Sequence, residues 1–158
     1  MTIIVPRLRT STSRVRAPAE QSEILHATEQ PFEHRPLIPP NSVRFLQLKP
    51  SDNDTDVPEC QFIDRPLSSN PEYEVLSGFW GDEEDALQPL IIEGRTLIAS
   101  CKLAEALVKF RHQDRARLLW IQSACVDSRN TAERNSQMGQ LRCILQQAQR
   151  LLIWLGPA

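Results

Sequence analysis

The sequence predicts an α/β domain with parallel core strands, on three observations. Two short apolar runs, residues 118–121 and 151–155, flank a segment whose apolar residues recur at helical spacing. Strand, helix, strand in that order implies a right-handed crossover between parallel neighbours. A third run, through Val75, Leu76 and Phe79, ends at the corner Trp80-Gly81-Asp82. Open α/β sheets present side chains at the exposed carboxyl ends of their strands in this way.

The 158 residues suffice for one domain with its own core and not comfortably for two. Eighteen Lys and Arg against 20 Asp and Glu leave a net charge of −2, so the basic footprint of a nucleic-acid binder is missing. No apolar run has the length of about 20 residues that spans a bilayer. Cys60, Cys101, Cys125 and Cys143 are scattered without a C-x-x-C pair. With no secretory signal, that pattern reads as reduced, buried thiols in a cytoplasmic protein.

In chain order, residues 1–40 read as a disordered tail or linker, because Pro6, Pro18, Pro31, Pro36, Pro39 and Pro40 interrupt any regular element. Arg7, Arg9, Arg14 and Arg16 without an acid before Glu20 give a minor alternative, a mitochondrial transit peptide, although Pro6 interrupts the helix it would need. The domain is expected over residues 41–158. Residues 43–48 form a strand closed by Lys49-Pro50, and residues 60–63 its antiparallel partner across a polar loop. After Asp82, the acidic run Glu83, Glu84 and Asp85 reads as a solvated loop. Residues 90–92 and 96–98 form a hairpin in which Gly94 supplies the positive φ. Ser100 caps a helix over about 102–112, with Leu103, Ala106, Leu107 and Phe110 on its apolar face. Asn130 with Glu133 three residues on reads as a capping box. The helix it starts runs to about residue 150 with Met138, Leu141, Leu145 and Ala148 on one face, before a strand that ends at Gly156-Pro157.

The residues offer few parts for catalysis. Glu74 reads either as a buried acid or as an edge residue facing solvent. Asp82, at a strand end, either touches a ligand or stabilises its turn. Glu133 caps its helix, which leaves Arg134 free to bind an anion or to pair on the surface. Cys125 and His112 flank the same strand, so a nucleophile–base pair can be written down, but no third group orients it. Trp120 and Trp154 read as core anchors, and Trp80 as partly exposed at its corner. There is no metal-ligand spacing and no Gly-rich phosphate loop, so no metal and no cofactor are expected.

Three segments, in order, resemble the fungal heterokaryon incompatibility (HET) domain. The family's first block, Tyr-Glu-Ala-Leu-Ser-Tyr-x-Trp-Gly, is met by residues 73–81, with Tyr73, Glu74, Ser77, Trp80 and Gly81 in place and Asp82 following. Its second, Leu-Trp-Ile-Asp-Ala-Ile-Cys-Ile-Asn-Gln, is met by residues 119–128, with Trp120 and Cys125 in place. Its third is Glu-Arg, then Gln, then a helix and a Val-Trp-Leu-Gly strand. Here stand Glu133, Arg134, Gln137, Trp154 and Gly156. The match covers about residues 36–156. The chain departs from the blocks at Gly78 (Tyr), Gln122 (Asp), Ala124 (Ile), Asp127-Ser128 (Asn-Gln) and Leu145 (Tyr).

The resemblance implies a small flavodoxin/TIR-like α/β sheet and a module that promotes programmed cell death in fungal non-self recognition. It implies action through other incompatibility-pathway proteins or self-association; the charge and apolar patterns add the expectation of no nucleic-acid partner and no transmembrane segment. It leaves two alternatives: a TIR-like NAD hydrolase, for which no catalytic glutamate is assigned, and an inactive remnant or decoy. Since family members continue past the third block, it also implies a chain truncated at its C-terminus.

Overall fold

The computed structural model describes residues 3–4, 34–38, 41–80 and 86–157. Its strands are β1 (Ile3–Ile4), β2 (Val43–Leu48), β3 (Glu59–Arg65), β4 (Glu74–Gly78), β5 (Leu87–Ile92), β6 (Arg95–Ser100), β7 (Arg117–Trp120) and β8 (Arg150–Trp154). They form one mixed sheet in the order β1-β8-β4-β7-β2-β3-β5-β6. The helices are α1 (Cys101–Phe110), α2 (Gln122–Cys125), α3 (Thr131–Gly139) and α4 (Leu141–Gln147).

The parallel core expected from the sequence is β8-β4-β7, where Val75 stands opposite Leu151 on one side and Trp120 on the other. The expected antiparallel pair also forms, with Val43 opposite Arg65 and Leu48 opposite Cys60. It is not peripheral, however. β2 lies inside the sheet against β7, so nearly the whole strand is buried, Arg44 included. The hairpin β5–β6 turns on Glu93 and Gly94, with φ of 51° and 76°. Two consecutive left-handed residues match the twist of a two-residue hairpin. Pro89 fits in β5 because β3 pairs only with Ile91 and Ile92 and leaves that end of the strand without a partner there.

Helices cover both faces. Alternation along β4 sends Tyr73 and Val75 one way and Leu76 the other. On the first side the Tyr73 hydroxyl donates to the Ile144 carbonyl of α4 at 2.5 Å. On the other, Phe110 of α1 meets Trp154 edge-on, with ring centroids 6.2 Å apart.

Several expectations are corrected. Phe79 does not continue the apolar strand: β4 ends at Gly78, and Phe79 is 68% exposed. The buried face of α1 is Ala104, Ala106, Leu107 and Phe110, with Leu103 only half-buried. The single helix expected to run to about residue 150 is broken at Gln140 into α3 and α4. The expected face, Met138, Leu141, Leu145 and Ala148, does pack partly buried against the core, but the deepest positions are Glu133 and Gln137 of α3 and Ile144 of α4. The two pieces have different anchors, α3 on β2 and the residue before it and α4 on Tyr73. Most of the expected tail lies outside the described residues. Residues on either side of that segment do touch the domain: β1 pairs parallel with β8, the His34 ring bonds the Ala124 carbonyl at 2.7 Å, and Arg35 donates to the Phe62 carbonyl.

Candidate functional site

A cavity of about 860 Å³ lies where β4 and β7 end, between the sheet and the pair α3–α4. Its size and mixed lining suit a small ligand. Met138, Leu141, Leu145 and Leu151 make an apolar wall, Trp80 and Trp120 an aromatic one. Ser77, Ser123, Ser128 and Gln122 supply hydroxyls and an amide, and Arg134 supplies a cation. No Asp, Glu, His or Cys is among the described residues that line it.

The sequence-predicted site residues divide between this cavity and the scaffold behind it. Ser77, Trp80, Trp120 and Arg134 line the cavity, although they come from three separate blocks. Trp80 is half-buried as expected, and its carbonyl accepts the Ser100 hydroxyl that also caps α1. Gly81 and Asp82 lie outside the described residues. Gly156 turns the chain out of β8 with a φ of 94°. Trp154 is buried behind the sheet end; its indole N–H and that of Trp120 have no acceptor among the described residues.

Glu133 has a different job from the one expected. Asn130 does cap α3, its Oδ1 accepting the Glu133 backbone N–H at 3.1 Å. The Glu133 side chain does not return the bond to Asn130. Its carboxylate accepts from Arg44 at 2.6 Å and from the Asp127 N–H at 3.2 Å. Arg44 is completely buried and also donates to the carbonyls of Cys125 at 3.1 Å and Arg35 at 2.5 Å, with Asp64 3.8 Å away. A buried charge pair is tolerated only when most of its remaining bonds are met; these carbonyls serve the two terminal nitrogens, while Arg44 Nε has only the Asp64 carboxylate at 3.8 Å and no hydrogen bond among the described residues. One turn along α3, Gln137 donates to the Ser42 carbonyl at 2.9 Å. The two bonds fasten α3 across the sheet end and set Arg134 at the cavity. Sequence reasoning missed Arg44; the signal was an arginine inside a mostly apolar strand.

Glu74 is a buried acid, but at the far end of its strand. It accepts from Arg117 Nε and lies 3.6 Å from Arg150. Arg117 is held in turn by the Phe110 carbonyl. Four residues of strand, about 13 Å, separate Glu74 from Gly78 at the cavity. Cys125 is fully buried, and burial pushes its thiol up to about 12 in spite of the Ile121 N–H that bonds its sulfur. His112 sits near Arg117, where burial and then the Arg117 and Arg115 charges lower its pKa. β7 lies between the two, so no Cys–His pair forms.

Gly78 was noted only as a departure, and its position has a steric reason. A Cβ there would lie 3.0 Å from the Trp80 ring, 3.1 Å from Trp154 Cβ and 3.2 Å from the Trp154 carbonyl. With hydrogen alone at that position, the Trp80 ring folds back onto the strand end and forms a cavity wall. Gln122, Ser128 and Leu145, also departures, line the same cavity, so the drift in the blocks concentrates there.

Among the described residues no group of three or more His, Cys, Asp or Glu could hold a metal ion. No described helix is long and apolar enough to cross a membrane.

Comparison with known proteins converges on the same residues. A family model described as "Heterokaryon incompatibility protein (HET)" matches residues 73–158, which include all of the cavity lining. A curated relative is heterokaryon incompatibility protein 6, OR allele, of Neurospora crassa. It is 29% identical over 133 residues, 76% of this chain and 19% of that protein. The chain thus spans about a fifth of the relative's length. No solved structure matches it.

Proposed function

Because the chain belongs to the heterokaryon incompatibility (HET) domain family, we propose that it acts in fungal non-self recognition as an intracellular, TIR-like signalling module that promotes programmed cell death. The observation that carries this reading is the convergence of all three family blocks on one cavity: Ser77 and Trp80 from the first, Trp120 from the second, Arg134 from the third. The buried members of the same blocks, Tyr73, Glu133 and Gln137, each make the hydrogen bonds that hold α3 and α4 over that cavity. A chain that keeps both the supports and the opening retains the parts needed to engage a partner or ligand.

The test is induced expression of residues 1–158 in a filamentous fungus, scored by vital-dye uptake and by blotting for soluble protein. The expected result is death with the native sequence, and survival with Trp80→Ala or Arg134→Gln at equal soluble protein. Survival at full expression of the native sequence overturns the proposal and leaves the remnant or decoy reading. The NAD-cleaving reading is checked separately: purified protein incubated with NAD releases nicotinamide if it holds. The described cavity walls offer that reaction no carboxylate.

A further inference from the structure

We propose that the cavity binds an anionic amphiphile, a single carboxylate or phosphate head on an apolar body, with Arg134 as its anchor. The proposal deepens the reading of this cavity as the functional site. Arg134 stands on the exposed side of α3 yet lines the cavity, and its guanidinium has no hydrogen-bond or ion-pair partner among the described residues. Three other arginines are engaged: Arg44 by Glu133, Arg117 by Glu74, Arg111 by the carbonyls of Asn53 and Asp56. Gln122, an amide, lines the same cavity, and no described lining residue is an acid. Among the described lining residues Arg134 is thus the one charged group, and a cationic ligand would find no counter-charge from them.

The rest of the lining sets the ligand's second property. Met138, Leu141 and Leu145 present only apolar surface, which a fully polar anion would leave uncovered. Hydroxyls of Ser77, Ser123 and Ser128 can complete the hydrogen bonds of one head group. A dinucleotide carries at least two phosphates and is commonly cradled by a glycine-rich turn at a helix N-terminus. One guanidinium without such a turn matches one anionic head. An acyl chain or a fused ring fits a volume of about 860 Å³.

The experiment uses the purified chain with decanoate and decyl phosphate below their micellar concentrations, followed by calorimetry and tryptophan fluorescence. Decanol and decyltrimethylammonium serve as neutral and cationic controls. The expected result is saturable one-to-one binding of at least one of the two anions, with the stronger identifying the head group. Arg134→Gln weakens it at least tenfold, and Arg134→Lys restores part of the loss. Leu145→Trp, which fills the apolar end, abolishes binding, while Arg142→Gln, an exposed change outside the lining, leaves it unchanged. Equal binding of decanol, binding indifferent to Arg134→Gln and Leu145→Trp, or no binding of either anion overturns the proposal. Failure of the cell-death reading shows as survival in the fungus with anion binding intact, so the two results are separable.

Discussion

At Glu133 and Arg134 a single step along α3 turns the chain by about 100° and changes what a charged side chain can do. Glu133 points into the sheet and accepts from a fully buried arginine; Arg134 points into the cavity and has no partner among the described residues. The pair therefore combines a support and a contact in adjacent positions. Removing one member of a buried ion pair strands the other, which costs about 3–5 kcal/mol. Glu133→Ala should consequently lower the urea midpoint far more than Arg134→Ala, which should change it by no more than about 0.5 kcal/mol in equivalent stability. The double change Arg44→Met with Glu133→Leu should lose much less than the two single changes summed, since neither charge is then stranded. Additive losses in that cycle would mean the pair does not hold α3.

At the scale of elements, the break between α3 and α4 shows where helical periodicity misleads. Met138, Leu141 and Leu145 recur at helical spacing, yet they line a cavity, while the positions that pack deepest are Gln137 and Ile144. The buried polar anchors Glu133 and Gln137 could not be told from solvent-facing residues, because their partners, Arg44 and the Ser42 carbonyl, lie some 90 residues earlier in the chain. Strands were easier to read. β2, β3, β7 and β8 stand within about two residues of their expected bounds, because short apolar runs closed by proline, glycine and polar turns admit few alternatives. Gly139 ends α3 without a positive φ, and a Cβ there meets nothing within 4 Å. Gly139→Ala should raise stability by about 0.5–1 kcal/mol through the unfolded chain's lost freedom, read as a higher urea midpoint. A fall would mean that the break requires glycine.

At the scale of the whole molecule, burial sets the behaviour of the thiols and of the one tyrosine. Burial is the largest cause that raises Cys60 and Cys125 from 9.0, and Tyr73 from 10.0, each to about 12. The folded chain then keeps protons that the unfolded chain gives up. Stability from these groups is fully present below about pH 9 and is lost as pH rises toward 12. Thermal melts should therefore fall steeply across that window, and Tyr73→Phe should flatten the part above pH 10. At pH 8 Cys143, which is exposed, should react quickly with a thiol reagent. Cys60 and Cys125 should react only as fast as the domain unfolds. Prompt labelling of either would mean the core opens locally.

Most of the strands, the α1 and α3 caps, the Gly94 turn and the family were legible from residue order alone, because each rests on residues close in the chain or on blocks read in order. Ser77, Trp80, Trp120 and Arg134 were among the candidates named from the sequence, unsorted from residues that lie in the scaffold. Only the tertiary structure decided that Glu133 and Gln137 are supports, that Glu74 sits at the wrong end of its strand, and that Ser77, Trp80, Trp120 and Arg134 share one cavity. The reason is physical. β4, β7 and β8 are neighbours in the sheet but come from residues 74–78, 117–120 and 150–154, and a cavity at their ends exists only once strand order is set. Local pattern fixes what each segment becomes, and long-range pairing fixes which side chains meet.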